Sequence, residues 1–247
     1  MTVLYNIAAA FLTNGYRIFN SVLYGVLLYA LATRFILMPV VQNYYKSLKV
    51  GEALKNEVRR NLQKKQNDNL DVDEIKDLID KGYRPFGHVL NFAAYIFFVY
   101  LLSAVLFRSA EFIVVNGNAL SPLVLGLDLS RSLMDVIPQA GGNIIGIVMN
   151  AAVSAACVAL HYIHQTKAEL LDPIAHTAAD FIILGITAIC AAALPAGTAV
   201  YWILIKTLDL IQLAVYKKYY SVNFNAPVKK SANKKLEAEV KRIKRQK

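Results

Sequence analysis

Arg34, Lys206 and Asp209 are charged residues in stretches of sequence that are otherwise apolar. Arg34 interrupts residues 18–41, a run of 24 residues that contains no other charge. As a helix this run would be roughly 36 Å long, which is enough to cross a bilayer. A charge inside hydrocarbon costs about 2.5–3.5 kcal/mol on insertion scales unless it reaches water or finds a partner. Arg34 is therefore either a structural charge that reaches for headgroups or a cation that attracts anions inside the protein.

Asp209 is expected at the same depth in the membrane as Arg34. It precedes Lys217 by eight residues, or roughly 12 Å of helix, and Arg34 lies roughly 10 Å from the basic end of its own run. Opposite charges at matched depth relieve one another if their helices face each other, which predicts an Arg34–Asp209 pair. Lys206, three residues before Asp209 on the same helical face, is the competing local partner.

His161 and His164 share one helical face and could in principle hold a metal ion. Because no Asp or Glu of the same apolar run joins them, we interpret them as histidines at a helix interface. Cys157 and Cys190 both fall in apolar runs, which favours packing over a disulfide or zinc site. No Ser/His/Asp set, phosphate-binding Gly-rich loop or pair of carboxylates is found. We therefore expect neither an enzyme nor a bound cofactor or metal.

The elements that would carry these residues are membrane spans. The chain has 247 residues, of which 56% are hydrophobic, which is too apolar for an ordinary soluble domain. Long, predominantly apolar runs predict an all-α integral membrane protein with five transmembrane helices. The predicted spans are residues 18–41, 86–107, 143–164, 177–194 and 199–216. Pro195-Ala196-Gly197 between the last two predicts a tight corner and an antiparallel pair of helices.

Four further segments connect or flank the spans. Residues 46–84 are dense in charge of both signs and are predicted to form a helical hairpin, with apolar residues every fourth position in the first helix and a turn at 67–69. Residues 108–142 form a loop, residues 1–17 an N-terminal segment and residues 217–247 a basic tail.

The distribution of Lys and Arg predicts the orientation of the chain. The hairpin, the short polar link of residues 165–176 after the third span and the tail hold 22 of the 27 basic residues. Positively charged segments remain on the cytoplasmic side of a membrane. We therefore expect the hairpin and the C-terminus in the cytoplasm, and the N-terminal segment and residues 108–142 outside.

The tail combines basic and apolar residues at helical spacing. Leu236, Val240 and Ile243 share one side of a possible helix. A basic amphipathic segment suits anionic lipids or ribosomal RNA; alternatively the tail is only a disordered topology signal. The candidate contact residues are Lys229, Lys230, Lys234, Lys235, Lys241, Arg242, Lys244 and Arg245.

Two motifs resemble the YidC family of membrane-protein insertases, the bacterial relatives of the mitochondrial and chloroplast inner-membrane insertases. Arg34 followed by Pro39 resembles the Arg-x-x-x-x-Pro signature of the first span. Residues 194–202, Leu-Pro-Ala-Gly-Thr-Ala-Val-Tyr-Trp, resemble the Pro-Ala-Gly-x-x-x-Tyr-Trp corner of the family, and Gln212 follows. The likeness covers about residues 16–216. At the start of the second span, residues 86–90 depart from the family's Gly-Cys-Leu-Pro-like stretch.

The resemblance implies a hydrophilic groove that is open to cytoplasm and lipid and closed on the outside. It further implies a location in the bacterial plasma membrane and nascent membrane proteins as substrates. The candidate partners are the ribosome, through the basic tail and the cytoplasmic loops, and the Sec translocon; an insertase that acts alone is the alternative. The candidate groove residues are Arg34, Asn150, His164, Gln165, Trp202, Asp209 and Gln212. Arg34 would attract acidic tails of substrates that have to cross the membrane.

A small-anion transporter or channel is the alternative reading, because an intramembrane arginine also suits an anion site. Transporters commonly show two inverted halves, and the sequence has no internal repeat. Saturable anion uptake would favour transport, whereas crosslinks to nascent chains would favour an insertase.

Overall fold

The computed structural model describes residues 2–65, 84, 87–108, 114–115, 118–119, 123–124, 127–138, 144–169 and 177–219. Within these ranges the chain is mostly helical. The helices are α1 (Thr2–Phe19), α2 (Val22–Lys65), α3 (Gly87–Phe107), α4 (Leu133–Val136), α5 (Ile144–Glu169), α6 (Thr177–Ala193) and α7 (Ala196–Tyr219). Two short antiparallel pairs, β1 (Val114–Val115) with β2 (Asn118–Ala119) and β3 (Leu123–Val124) with β4 (Leu127–Asp128), lie between α3 and α4.

Four of the described helices are long and apolar enough to cross a membrane. The spanning segments are Val22–Val50, Val89–Phe107, Ile144–Ala168 and Ala196–Tyr216. These segments make the chain a multi-pass membrane protein by length and composition. The fourth predicted span corresponds to α6, a shorter apolar helix of 17 residues.

The first span continues well beyond the apolar run. Helix α2 is 44 residues long and passes through Pro39 without ending. The first arm of the predicted hairpin is therefore an extension of the span helix, and residues 66–83, with the second arm, lie outside the described residues. Helix α2 also begins four residues later than predicted, because Asn20 adopts a left-handed conformation with φ of 53° and ends α1.

The N-terminal segment forms helix α1, which folds back along α2. Their backbones meet where Gly15 faces Gly25, a contact so close that a Cβ at either position would strike the backbone of the other helix. Ala8 and Leu12 are fully buried on the same face. Phe11 contacts Tyr29 edge to face, with ring centroids 6.0 Å apart. The predicted external segment is thus a helix packed along the first span.

Helix α7 lies at the centre of the bundle and contacts α2, α3, α5 and α6. Its inner face is buried throughout: Tyr201 and Asp209 are fully buried, and Trp202 and Ile205 nearly so. Polar groups on this face can therefore reach partners on several helices.

At one end of the bundle, which we call the loop end, residues 127–138 pack against α5, α6 and α7. Ser132 and Asp135 form a capping box at the start of α4, and the hydroxyl and backbone N–H of Ser132 hold the pKa of the Asp135 carboxyl below its ordinary value. The backbone N–H groups of Ala196 and Gly197 donate to the carbonyl oxygens of Arg131 and Leu129, at 2.8 and 3.0 Å. These bonds attach the corner between α6 and α7 to the loop. The opposite end, where α7 reaches Lys218, is called the tail end.

Candidate functional site

Arg34 of α2 and Asp209 of α7 form an ion pair inside the bundle. Nη1 of Arg34 contacts Oδ1 of Asp209 and also donates to the hydroxyl of Tyr95, while Nη2 donates to Oε1 of Gln212. The Asp209 side chain is fully buried, whereas 13% of the Arg34 side chain is exposed. The predicted interhelical pair is confirmed.

Lys206 is also a partner of Asp209, so both predicted pairings occur together. The Lys206 ammonium lies 3.1 Å from Oδ2 of Asp209 and about 6 Å from the ring centres of Tyr95 and Trp202. Asp209 pairs with two cations at once because each of its carboxylate oxygens contacts a different one, Arg34 of α2 or Lys206 of α7. We call Arg34, Tyr95, Lys206, Asp209 and Gln212 the arginine cluster. Its two cations and one anion carry one net positive charge.

The sequence of α7 explains why this cluster forms. Lys206, Asp209 and Gln212 follow one another at intervals of three residues and therefore lie on one helical face. Trp202, four residues before Lys206, extends the same face toward the loop end. Because α7 is central, this face meets Arg34 of α2 and Tyr95 of α3.

Two histidines of α5 border the cluster, and their bonding partners fix their proton positions. The indole N–H of Trp202 donates to Nδ1 of His161 at 3.0 Å, so the ring proton of His161 is on Nε2. The hydroxyl of Tyr45 donates to the Asp209 carbonyl oxygen at 2.9 Å. Since that hydroxyl has a single proton, Nε2 of His164, 3.1 Å away, must donate to it. Both histidines are nearly fully buried at helix interfaces, as predicted.

Two candidate residues of α5 differ in their placement. Gln165 is half-buried next to His164, and its buried Oε1 has no hydrogen-bond partner in the described part of the chain. Asn150 lies 11 residues before His161, or about 16 Å along the helix, and is not brought to the cluster. Its amide donates to the Gly146 carbonyl at 2.9 Å, one turn away in the same helix.

Tyr45 and Tyr95 belong to the site although the sequence did not single them out. Tyr45 is 11 residues after Arg34, which places it on the same face of α2 three turns later, and this spacing was an available signal. Tyr95 is one of 14 tyrosines in the chain, and nothing in its spacing distinguishes it. The eight candidate residues of the tail lie outside the described residues.

Access to the cluster is unequal in different directions. Phe35 and Ile36, next to Arg34, expose 74% and 63% of their surface, as apolar side chains facing lipid would. Toward the loop end, Gly197 leaves no space, because a Cβ there would lie 2.7 Å from Cδ1 of the fully buried Leu106. Arg34 is therefore partly accessible beside the exposed apolar side chains of α2, whereas the corner at Gly197 is tightly packed against Leu106 and Leu129.

Comparisons of the chain with protein-family models, curated proteins and solved structures found no match.

Proposed function

We propose that the chain is a membrane-protein insertase of the kind its two motifs resemble, which passes nascent hydrophobic segments into the bilayer. The observation that carries the proposal is the arginine cluster: a net positive charge held within the spans, with Arg34 partly exposed beside lipid-facing side chains. Arg34 attracts the carboxylates of a substrate tail that must cross the membrane.

The physical task of an insertase is to lower a solvation barrier. Each unsatisfied polar group of a crossing tail costs several kcal/mol in hydrocarbon. Hydrogen-bonding side chains at mid-depth shorten the dry path, and a cation there lowers the cost of a carboxylate. No covalent step is needed, and the hydrophobic segment of the substrate leaves sideways into lipid past Phe35 and Ile36.

The proposal includes a topology of five spans, with α6 as the fourth. Seventeen residues make a helix of about 26 Å, a little less than a hydrocarbon core of about 30 Å, which a membrane accommodates by local thinning. The tail end then faces the cytoplasm of a bacterial plasma membrane, and the loop end and the turn between α1 and α2 face outward. Closure at the loop end retains ions while the cytoplasmic half receives the substrate.

The basic tail is assigned to partners outside the bundle. Its cationic residues suit the phosphates of ribosomal RNA or anionic lipids, and a ribosome held there would deliver nascent chains directly to the site. The Sec translocon is a further proposed partner.

Photo-crosslinking tests the proposal. A crosslinker placed at Phe35 or Ile36 should react with a nascent membrane protein on a translating ribosome, because both positions border Arg34 on the lipid-facing side. The matched control is Ile144, which is 71% exposed at the opposite end of α5. Equal labelling from all three positions would contradict a substrate path at Arg34.

A small-anion channel or transporter is the second candidate, favoured by the same net positive charge. It predicts saturable uptake of chloride or phosphate into vesicles containing the purified protein, lost in Arg34→Ala. An insertase predicts that no such uptake occurs and that the same variant loses nascent-chain crosslinks.

A further inference from the structure

Asp209 is an anion of the protein itself that is paired with Arg34. Its carboxylate is fully buried, and its two oxygens contact two different cations, Arg34 through Oδ1 and Lys206 through Oδ2. Of the two cations, Arg34 is the more exposed, with 13% of its side chain accessible against 5% for Lys206. An anion that approaches the cluster therefore reaches Arg34 before Lys206, and Arg34 is then already paired with Asp209.

We infer that Asp209 holds the place of a substrate carboxylate on Arg34, and that Lys206 keeps the charge of Asp209 paired when a substrate carboxylate displaces it. The inference rests on the proposed function, because it specifies how the same site receives and releases an acidic segment. It assigns Lys206 a positioning role: this residue acts on Asp209 and not on the substrate.

At every stage of the exchange, each carboxylate has a cation as its partner. Before binding, one carboxylate is shared by two cations; after binding, the substrate pairs with Arg34 and Asp209 pairs with Lys206. An unpaired buried carboxylate would be strongly unfavourable, so Arg34 can be released by Asp209 only because Oδ2 already contacts Lys206. Return of Asp209 to Arg34 then helps to expel the substrate, which must leave the site for insertion to finish.

The exchange also defines the substrate class. With two cations and Asp209 already present, the site has one charge to offer, so it accepts one carboxylate at a time. Gln212 and Tyr95, which hold the other donors of Arg34, keep the guanidinium oriented while the anion changes. We therefore expect recognition of segments with a single acidic residue in the part that crosses.

The decisive comparison uses two proteins with the same net charge in the cluster. Wild-type protein has Arg34, Lys206 and Asp209, and the double variant Lys206→Gln/Asp209→Asn has Arg34 alone; both carry a single positive charge. If net charge alone governs binding, both bind an acidic segment equally. If Asp209 competes for Arg34, the double variant binds it more tightly, whereas Lys206→Gln alone binds it more weakly than wild type.

The measurement is binding of a synthetic hydrophobic-helix peptide to the full chain in phosphatidylcholine nanodiscs. One peptide carries a single Asp in its flanking tail, and its twin carries Asn at that position. We expect about tenfold tighter binding of the Asp peptide by the double variant than by wild type, the effect of removing one charged competitor. Affinity for the Asn peptide should not change, which also controls for folding.

The outcomes separate the exchange from the function. Equal affinity of wild type and double variant, together with weaker Asp-peptide binding by Arg34→Ala, would overturn the exchange and leave the insertase proposal standing. No preference for Asp over Asn in wild type, or an equal preference for Asp in wild type and Arg34→Ala, would overturn the role of Arg34 itself. If the double variant does not accumulate in the membrane, the same comparison is made with Lys206→Met in place of Lys206→Gln, which fills a similar volume with an apolar side chain.

Discussion

Replacement of Gly197 by alanine tests the close packing at the loop end. The added Cβ would lie 2.7 Å from Cδ1 of Leu106 and 3.1 Å from the carbonyl oxygen of Leu129. Leu106 is fully buried and cannot swing away, and the Leu129 carbonyl is backbone that accepts the hydrogen bond of Gly197 itself. We expect Gly197→Ala to lower the free energy of unfolding by about 1–3 kcal/mol, the usual penalty for overpacking.

Gly185→Ala is the matched control on the neighbouring helix. Gly185 is exposed within α6, and a Cβ there would have nothing within 4 Å. Alanine in a helix interior is more favourable than glycine by about 0.5–1 kcal/mol, so this variant should gain stability. The two glycine-to-alanine changes therefore have opposite predicted signs.

The assay is thermal unfolding in detergent, followed by the fluorescence of Trp202, the single tryptophan of the chain. At about 2–4 °C per kcal/mol, the midpoint should fall by about 2–12 °C for Gly197→Ala and rise by about 1–4 °C for Gly185→Ala. An unchanged or raised midpoint for Gly197→Ala would refute the close packing of the corner against the loop.

Three further predictions concern other parts of the chain. Gly25→Ala should detach α1 from α2, because the new Cβ would lie 2.6 Å from the Leu12 backbone; faster protease cleavage of α1 would show this, and unchanged cleavage would contradict it. Asp135 should stabilise α4 at neutral pH and lose this effect as the pH falls below about 4, because the folded state lowers the pKa of its carboxyl group. Amide exchange at α4 measures this stability, and Ser132→Ala should abolish its pH dependence. Truncation after Tyr219 should reduce co-sedimentation with ribosomes, and the lost component should depend steeply on salt; equal sedimentation of both forms would leave the tail as a topology signal.

Counting residues along apolar runs predicted the depth of the site well. The count placed Arg34 and Asp209 at the same level, and the structure pairs them. It also left Lys206 as a rival partner, and the carboxylate in fact contacts both cations because it has two oxygens. Depth follows from the constant rise of a helix, so it can be read from sequence.

Lateral placement could not be predicted in the same way. Which helices face each other depends on packing between distant segments, so Tyr95 carried no signal. Asn150 was expected in the groove, but its amide donates to the carbonyl oxygen of Gly146 in its own helix. In α1, Ala8, Leu12 and Gly15 are buried at intervals of four and three residues, which is one face of a helix. The sequence could not show which face of α1 is buried, because that depends on how α2 packs against it.

Insertion by Arg34 variants tests the central claim most directly. The assay follows membrane insertion of substrates whose translocated tail is either acidic or neutral, in vesicles containing the wild-type chain, Arg34→Ala, Arg34→Lys or the control Lys167→Ala, which removes an exposed cation of α5. We predict that Arg34→Ala slows insertion of the acidic-tail substrate by about tenfold, as loss of one charged contact would. Arg34→Lys should preserve most of the rate, and Lys167→Ala should behave as wild type. Equal rates for Arg34→Ala and wild type on the acidic-tail substrate would contradict the account.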